Sequence, residues 1–207
     1  MEDDEQRWAK LASESDLAQT IESLKSHGIN VFVVNNKEEA LAKVTHLIPK
    51  GVSIANGSST TLVEIGFVDY LMKGSHGWKN LHEEALKEKD PVKQNDLRRK
   101  MATADYFLGS VNAISKTGEL VACDASGSRV TAYPFAAKNL LLVAGTNKIT
   151  NSLNEAMERV REYVFLLESA RAKKVYGRGS MLGKWVIMER DFPNRTTLIL
   201  VREKLGF

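Results

Sequence analysis

Two periodicities alternate along the N-terminal third of this chain, and that alternation restricts the fold more than any single motif. Leu17, Ile21 and Leu24 share one face of a helix that His27-Gly28 brings to an end. INVFVV, Ile29 to Val34, follows as a β-branched run without polar alternation, the pattern of a strand covered on both faces. Leu41, Val44 and Ile48 then return to helical spacing until Pro49-Lys50-Gly51. Val52 to Ala55 reads as a second short strand and Leu62 to Leu71 as a helix. Strand, helix, strand, helix in that order predicts βαβ units and a parallel sheet.

The rest of the chain adds to this frame. Lys73 to Asp90 is polar and reads as a surface excursion, and Asn95 to Ala104 as a helix. Tyr106 to Val111 and Leu120 to Cys123 are strand-like and flank the turn signal Ser115-Lys116-Thr117-Gly118, so a hairpin between them is expected. NLLLVA, Asn139 to Ala144, is the most apolar run and belongs at the centre of a sheet. Leu153, Met157, Val160, Val164 and Leu167 mark a long amphipathic helix. Trp185 to Met188 and Thr196 to Val201 read as closing strands. The expected fold is a Rossmann-like α/β three-layer sandwich with a mostly parallel sheet and a C-terminal mixed-strand portion. Residues 1–207 are expected to form a single α/β domain, with 1–13 expected as a mobile or peripheral N-terminal segment.

Composition limits the function classes. The 29 basic and 26 acidic residues leave a net charge of +3, too little to mark a nucleic-acid binder. The single cysteine, Cys123, excludes an internal disulfide framework. The polar start MEDDEQRW is not a secretory signal, and no apolar run is long enough to span a bilayer, so a cytoplasmic location is expected.

Three strand-like runs end in small and polar residues. The first gives way to Asn56, Gly57, Ser58, Ser59 and Thr60 before a helix, where exposed amides and hydroxyls suit an anion. Thr61 followed by Glu64 has capping-box spacing, so the same stretch is also explained by ordinary cap chemistry. The second gives way to Asp124-Ala125-Ser126-Gly127-Ser128-Arg129, which places a carboxylate, hydroxyls and a guanidinium together. The third gives way to Gly145-Thr146-Asn147-Lys148. Should all three loops gather at one end of the sheet, they surround a single pocket. The expected ligand set is Asn56, Gly57, Ser58, Ser59, Thr60, Asn112, Asp124, Ser126, Gly127, Arg129 and Lys148. Arg129 is expected as its principal cation and Lys148 at its rim. His76 and His82 lie in the polar excursion and suggest solvated side chains rather than metal ligands. No metal and no cofactor is expected.

GSSTTLVEIG, RRKMATADYFLGSVNAISKTGELVACDASGSRV, NLLLVAGTNKIT and LVREKLGF resemble the lactate-utilisation (LUD) domain family, over Leu17 to Phe207 and most specifically over Asn112 to Thr150. The resemblance implies the fold shared by ribose-5-phosphate isomerase, glucosamine-6-phosphate deaminase and CoA transferases. It further implies a link to lactate oxidation alongside iron–sulfur partner subunits. Members of this length often carry a cysteine-rich segment where this chain reads VYGRGSMLGKW, without cysteine, so no role of those cysteines transfers. The resemblance and the loops together lead to a protein that binds a small anionic metabolite in an accessory capacity in organic-acid metabolism. The alternative is an isomerase or acyl/CoA transferase with Glu64 or Asp124 as base or nucleophile. Oligomeric state is not legible in the sequence.

Overall fold

The computed structural model describes residues 7–207. In chain order the elements are α1 (Glu14–Ser26), β1 (Asn30–Val34), α2 (Lys37–Leu47), β2 (Ser53–Asn56), α3 (Thr60–Glu64) and α4 (Phe67–Met72). Then come β3 (Lys79–Asn80), α5 (Leu81–Lys87), α6 (Pro91–Met101), β4 (Tyr106–Gly109), β5 (Ala113–Ser115), β6 (Leu120–Asp124) and β7 (Asn139–Gly145). The chain closes with β8 (Ile149–Thr150), α7 (Leu153–Arg159), α8 (Phe165–Tyr176), β9 (Lys184–Met188) and β10 (Thr196–Val201).

Six strands form a parallel sheet in the order β1-β10-β7-β4-β2-β3. Side chains of a strand alternate between faces, and β7 uses both. Leu140, Leu142 and Ala144 enter one core, with Leu198 and Leu200 of β10. Leu141 and Val143 enter the other, with Ile199 and Val201. A strand buried on both faces cannot alternate apolar with polar, and that is why NLLLVA and TTLILV read as continuous apolar runs. The architecture is a Rossmann-like α/β sandwich.

A second sheet runs β8-β5-β6-β9 and is mixed: β6 is antiparallel to β5 and β9, whereas β5 and β8 are parallel. Leu120 and Ala122 of β6 contribute to the first core of the main sheet, and Val121 and Cys123 to a smaller core with Ala156 and Val160.

Several expectations change in detail. The hairpin partner of Leu120 to Cys123 is β5, not Tyr106 to Val111, because β4 pairs with β2 and β7 in the parallel sheet. Thr196 to Val201 is the last strand, as expected, and it sits inside the sheet between β1 and β7. The helix expected over Leu62 to Leu71 is two helices broken at Gly66, whose φ of 76° is the left-handed conformation. The excursion after Lys73 contains β3 and α5 and buries Trp78 and His76. The long C-terminal helix carries a π-helical turn, Val160–Val164. In the N-terminal segment, Trp8 packs against Tyr163 and Val164, while residues 1–6 lie outside the described residues.

Candidate functional site

The residues that leave the C-terminal ends of β2, β4, β6 and β7 meet one another. Gly57 lies against the aliphatic stem of Arg129, so closely that a Cβ at position 57 would collide with it. The Arg129 backbone N–H donates to Asp124 Oδ2 at 2.9 Å. Its guanidinium donates to the Ser110 carbonyl at 2.8 Å, the Cys123 carbonyl at 2.6 Å and the Tyr133 hydroxyl at 3.2 Å. The Asn112 side chain accepts from the Cys123 N–H at 2.8 Å and faces the same guanidinium.

Lys148 is the buried member of the set. The chain leaves β7 in a 3₁₀ turn, Thr146–Lys148, which turns the lysine inward until it is 3% exposed. Its Nζ donates to Thr61 Oγ1 at 3.0 Å, Ser110 Oγ at 3.1 Å and the Val111 carbonyl at 3.1 Å. Burial drives this amine well below its ordinary value, Arg159 and Arg129 push the same way, and Glu64 opposes them.

Arg159 completes the cluster. It is fully buried just before the π-helical turn. Its guanidinium donates to the carbonyls of Trp8 at 2.9 Å, Asn112 at 2.5 Å and Asn147 at 3.3 Å. Burial brings its pKa down to about 10. The short link Ser110-Val111-Asn112 between β4 and β5 thus touches all three cations. None of them is ion-paired with a carboxylate among the described residues.

This changes the expected roles. Arg129 has most of its donors committed to carbonyls and a hydroxyl of its own fold, and Lys148 lies beneath the surface rather than at a rim. Ser59, not Thr61, caps α3, with its hydroxyl accepting from the Leu62 N–H at 3.3 Å. Thr61 is turned to Lys148 instead, and Glu64 accepts from the Gly206 N–H at 2.6 Å, so no capping box forms. Asp124 and Ser126 hold their own turn: Asp124 Oδ1 accepts from the Ser126 N–H, and Ser126 Oγ bonds Ser128 Oγ at 3.0 Å. Gly127 supplies the left-handed conformation there, with φ 90°. Asn56 is buried, and Ser58 and Thr60 make no hydrogen bond with their hydroxyls among the described residues. Burial raises the Cys123 thiol above its ordinary value, with Arg129 opposing, which disfavours a thiolate nucleophile. His82 is not simply solvated, since its Nδ1 bonds the Asn56 carbonyl at 3.0 Å. Among the described residues no group of three or more His, Cys, Asp and Glu is placed to hold a metal ion.

The C-terminal segment covers the lysine. Leu205 N–H donates to Asn147 Oδ1 at 3.1 Å. Gly206 has φ 61°, and a Cβ there would collide with Thr61 Oγ1 and stand 3.1 Å from Lys148 Nζ. Surface depressions of about 420 and 340 Å³ lie elsewhere, one beside Glu64 and Tyr70, the other between the N-terminal segment and Asn147.

Ser110 and Arg159 escaped the reading of the sequence, where Thr61 reads as a helix cap rather than as a partner of Lys148. Only Arg159 left a signal: Ala156, Arg159 and Val160 stand at i, i+3 and i+4, on the buried face of the helix.

No curated protein matches the sequence. No helix among the described residues is long and apolar enough to cross a membrane. The fold is similar to that of a DUF162 family protein from Deinococcus radiodurans, known from a crystal structure, with a TM-score of 0.57 and 14% identity, covering 93% of this chain and 99% of that one. The model of the LUD domain matches residues 17–178, and with most of its length so matched the chain belongs to the LUD domain family.

Proposed function

We propose that the chain acts as one α/β unit that binds a small anionic metabolite at the strand-end cluster. Its role is that of a binding or accessory protein in organic-acid metabolism, with lactate utilisation the setting its family points to. One observation carries this reading. Arg129, Lys148 and Arg159 converge on Ser110-Val111-Asn112 without a carboxylate ion partner among the described residues. Burying charge is costly; Asp124 supports Arg129 and Glu64 supports Lys148 only through space, and an anion supplies a direct ion partner. Lys148 then gains a charged acceptor and takes a proton. Of the Asn56–Thr60 turn, the Gly57 N–H is held by the Leu108 carbonyl at 3.1 Å and the Ser59 hydroxyl by the α3 cap, so Ser58 and Thr60 are the residues whose hydroxyls remain to offer. Asn112, Asp124, Ser126 and Gly127 hold Arg129 in place, where its charge adds to the field. Iron–sulfur subunits of a lactate-oxidation system are the partners this reading favours.

The enzymatic alternative has no comparable support. Glu64 and Asp124 both accept backbone N–H groups, at 2.6 and 2.9 Å respectively, and serve as local ties rather than free bases.

The test is a thermal-shift titration with L-lactate, pyruvate, inorganic phosphate and ribose 5-phosphate. A ligand at about 100 times its Kd adds roughly 2.7 kcal/mol of stability. One of these anions is expected to raise the melting temperature of the native chain and not that of Lys148→Met. An unchanged response in Lys148→Met, or none to any anion in the native chain, removes the proposal.

A further inference from the structure

Two loops enter the main sheet at the end opposite the cation cluster, residues 133–138 before β7 and residues 189–195 before β10. β7 and β10 are parallel neighbours with Leu140 opposite Thr196, so the loops that lead into them lie side by side. Arg195 joins them. Its guanidinium donates to the Tyr133 carbonyl at 2.9 Å, to the Ala132 carbonyl at 3.3 Å and to Asp191 Oδ2 at 2.8 Å. Each loop leaves one phenylalanine in water. Phe135 is 87% exposed and Phe192 83%, the two highest values of any large apolar side chain among the described residues.

Stiff backbone presents both rings. Pro134 precedes Phe135 and Pro193 follows Phe192, and each proline ring fixes its own φ. The second loop is tied further: the Asp191 N–H donates to the His27 carbonyl at 2.9 Å, and the Phe192 N–H to Asp191 Oδ1 at 2.8 Å. A ring this exposed rests on little of its own fold and projects as a convex tip. Exposed apolar residues scattered singly need no explanation, but two on joined loops mark a contact surface.

The charges around the rings select the partner. Lys138 and Arg190 are exposed and make no ion pair among the described residues. Arg190 Nη1 donates to the Ser26 carbonyl at 3.2 Å, which brings in Lys25, also exposed and without an ion pair among the described residues. Of the acids on these loops, Asp191 is matched to Arg195 and Glu189 alone is exposed. Nearby, Asp105 is held by the N–H and hydroxyl of Ser53, with Lys138 acting on it through space. A second copy docked through the same face would set these cations against their own counterparts. An anionic bilayer attracts each of them, and its fluid surface admits a convex tip without a complementary shape.

We propose that this end of the molecule docks on an anionic lipid bilayer, with Phe135 and Phe192 entering the acyl boundary and Lys138 and Arg190 meeting the headgroups. The proposal is separate from the strand-end reading, for these loops precede β7 and β10 whereas Lys148 follows β7.

Co-sedimentation of the intact chain with vesicles tests it. Vesicles of mixed phosphatidylserine and phosphatidylcholine are expected to carry the chain down, and phosphatidylcholine alone several-fold less. Phe135→Ser together with Phe192→Ser is expected to weaken binding by about tenfold or more, with the melting temperature kept because both rings stand in water. Lys138→Glu together with Arg190→Glu is expected to lower binding to the level of phosphatidylcholine alone. Phe192→Trp places a reporter on the loop, and its emission is expected to shift to the blue when mixed vesicles are added. The proposal is overturned by a chain that stays in solution with mixed vesicles, by binding that the double serine variant retains, or by an emission that does not move. Self-association of the native chain that the double serine variant loses, with no vesicle binding, assigns the face to a second copy and overturns it equally.

Discussion

The turn after β2 and the turn after β6 carry similar residues, yet they commit them differently. After β6, Asp124, Ser126, Ser128 and Arg129 bond one another, and the guanidinium closes on the carbonyls of Cys123 and Ser110. Almost nothing there remains to offer a ligand. After β2, the Ser59 hydroxyl caps α3, while the Ser58 and Thr60 hydroxyls have no partner among the described residues. Composition alone made the two loops equal candidates. Hydrogen-bond accounting separates a turn that holds itself together from one that is open.

That contrast can be broken by measurement. The largest effect is expected at Arg129. Arg129→Met leaves the Ser110 and Cys123 carbonyls without their charged donor, and urea melts should show a loss of about 3 kcal/mol. A loss under about 0.5 kcal/mol would mean that the β6 turn does not hold itself in this way, and Arg129 would return as a ligand residue.

Next in size is a pH effect at Lys148. Its folded-state pKa lies below the 10.5 of the unfolded chain. Between those two values the unfolded state holds more protons, so stability should rise with pH across that window. Lys148→Met should lack this rise. Parallel pH dependences in the two proteins would place the amine in water rather than under the C-terminal segment.

Ser59→Ala should cost about 1 kcal/mol through the lost cap. Thr61→Ala acts elsewhere, by removing an acceptor of Lys148, so its cost should depend on pH where that of Ser59→Ala does not. The smallest effect on stability is expected from Ser58→Ala combined with Thr60→Ala, within about 0.5 kcal/mol. The same pair should weaken anion binding several-fold by isothermal titration. Unchanged affinity would mean that the open turn after β2 is open to water only.

Much of the fold was legible because local pattern and long-range packing agree. INVFVV, VSIA and NLLLVA announce strands by β-branched or apolar runs, and the intervening helices show their spacing. Strand order was not legible, since the place of β10 beside β1 and β7 depends on pairing Thr196 with Leu140 across more than fifty residues. The hairpin was misassigned because β5 has only three residues and offers no run to recognise. At the site, consecutive hydroxyls from Ser58 to Thr61 made the cap ambiguous, and only backbone geometry selects Ser59. Convergence of the loops was foreseen, but the inward turn of Lys148 was not. A 3₁₀ turn after Gly145 decides it, and a lysine gives no sign in sequence of which way it points.

Gly206 and Leu205 lie over the lysine, tied to Glu64 and Asn147 by one backbone hydrogen bond each. An anion bound for Lys148 by that route must wait until both ties open and Leu205 leaves the second core. Its apparent affinity is then the intrinsic one reduced by the fraction of time the segment stands away. Entry and departure along that route both slow to the frequency of that opening, so a weakly held metabolite would still reside for as long as the segment stays down.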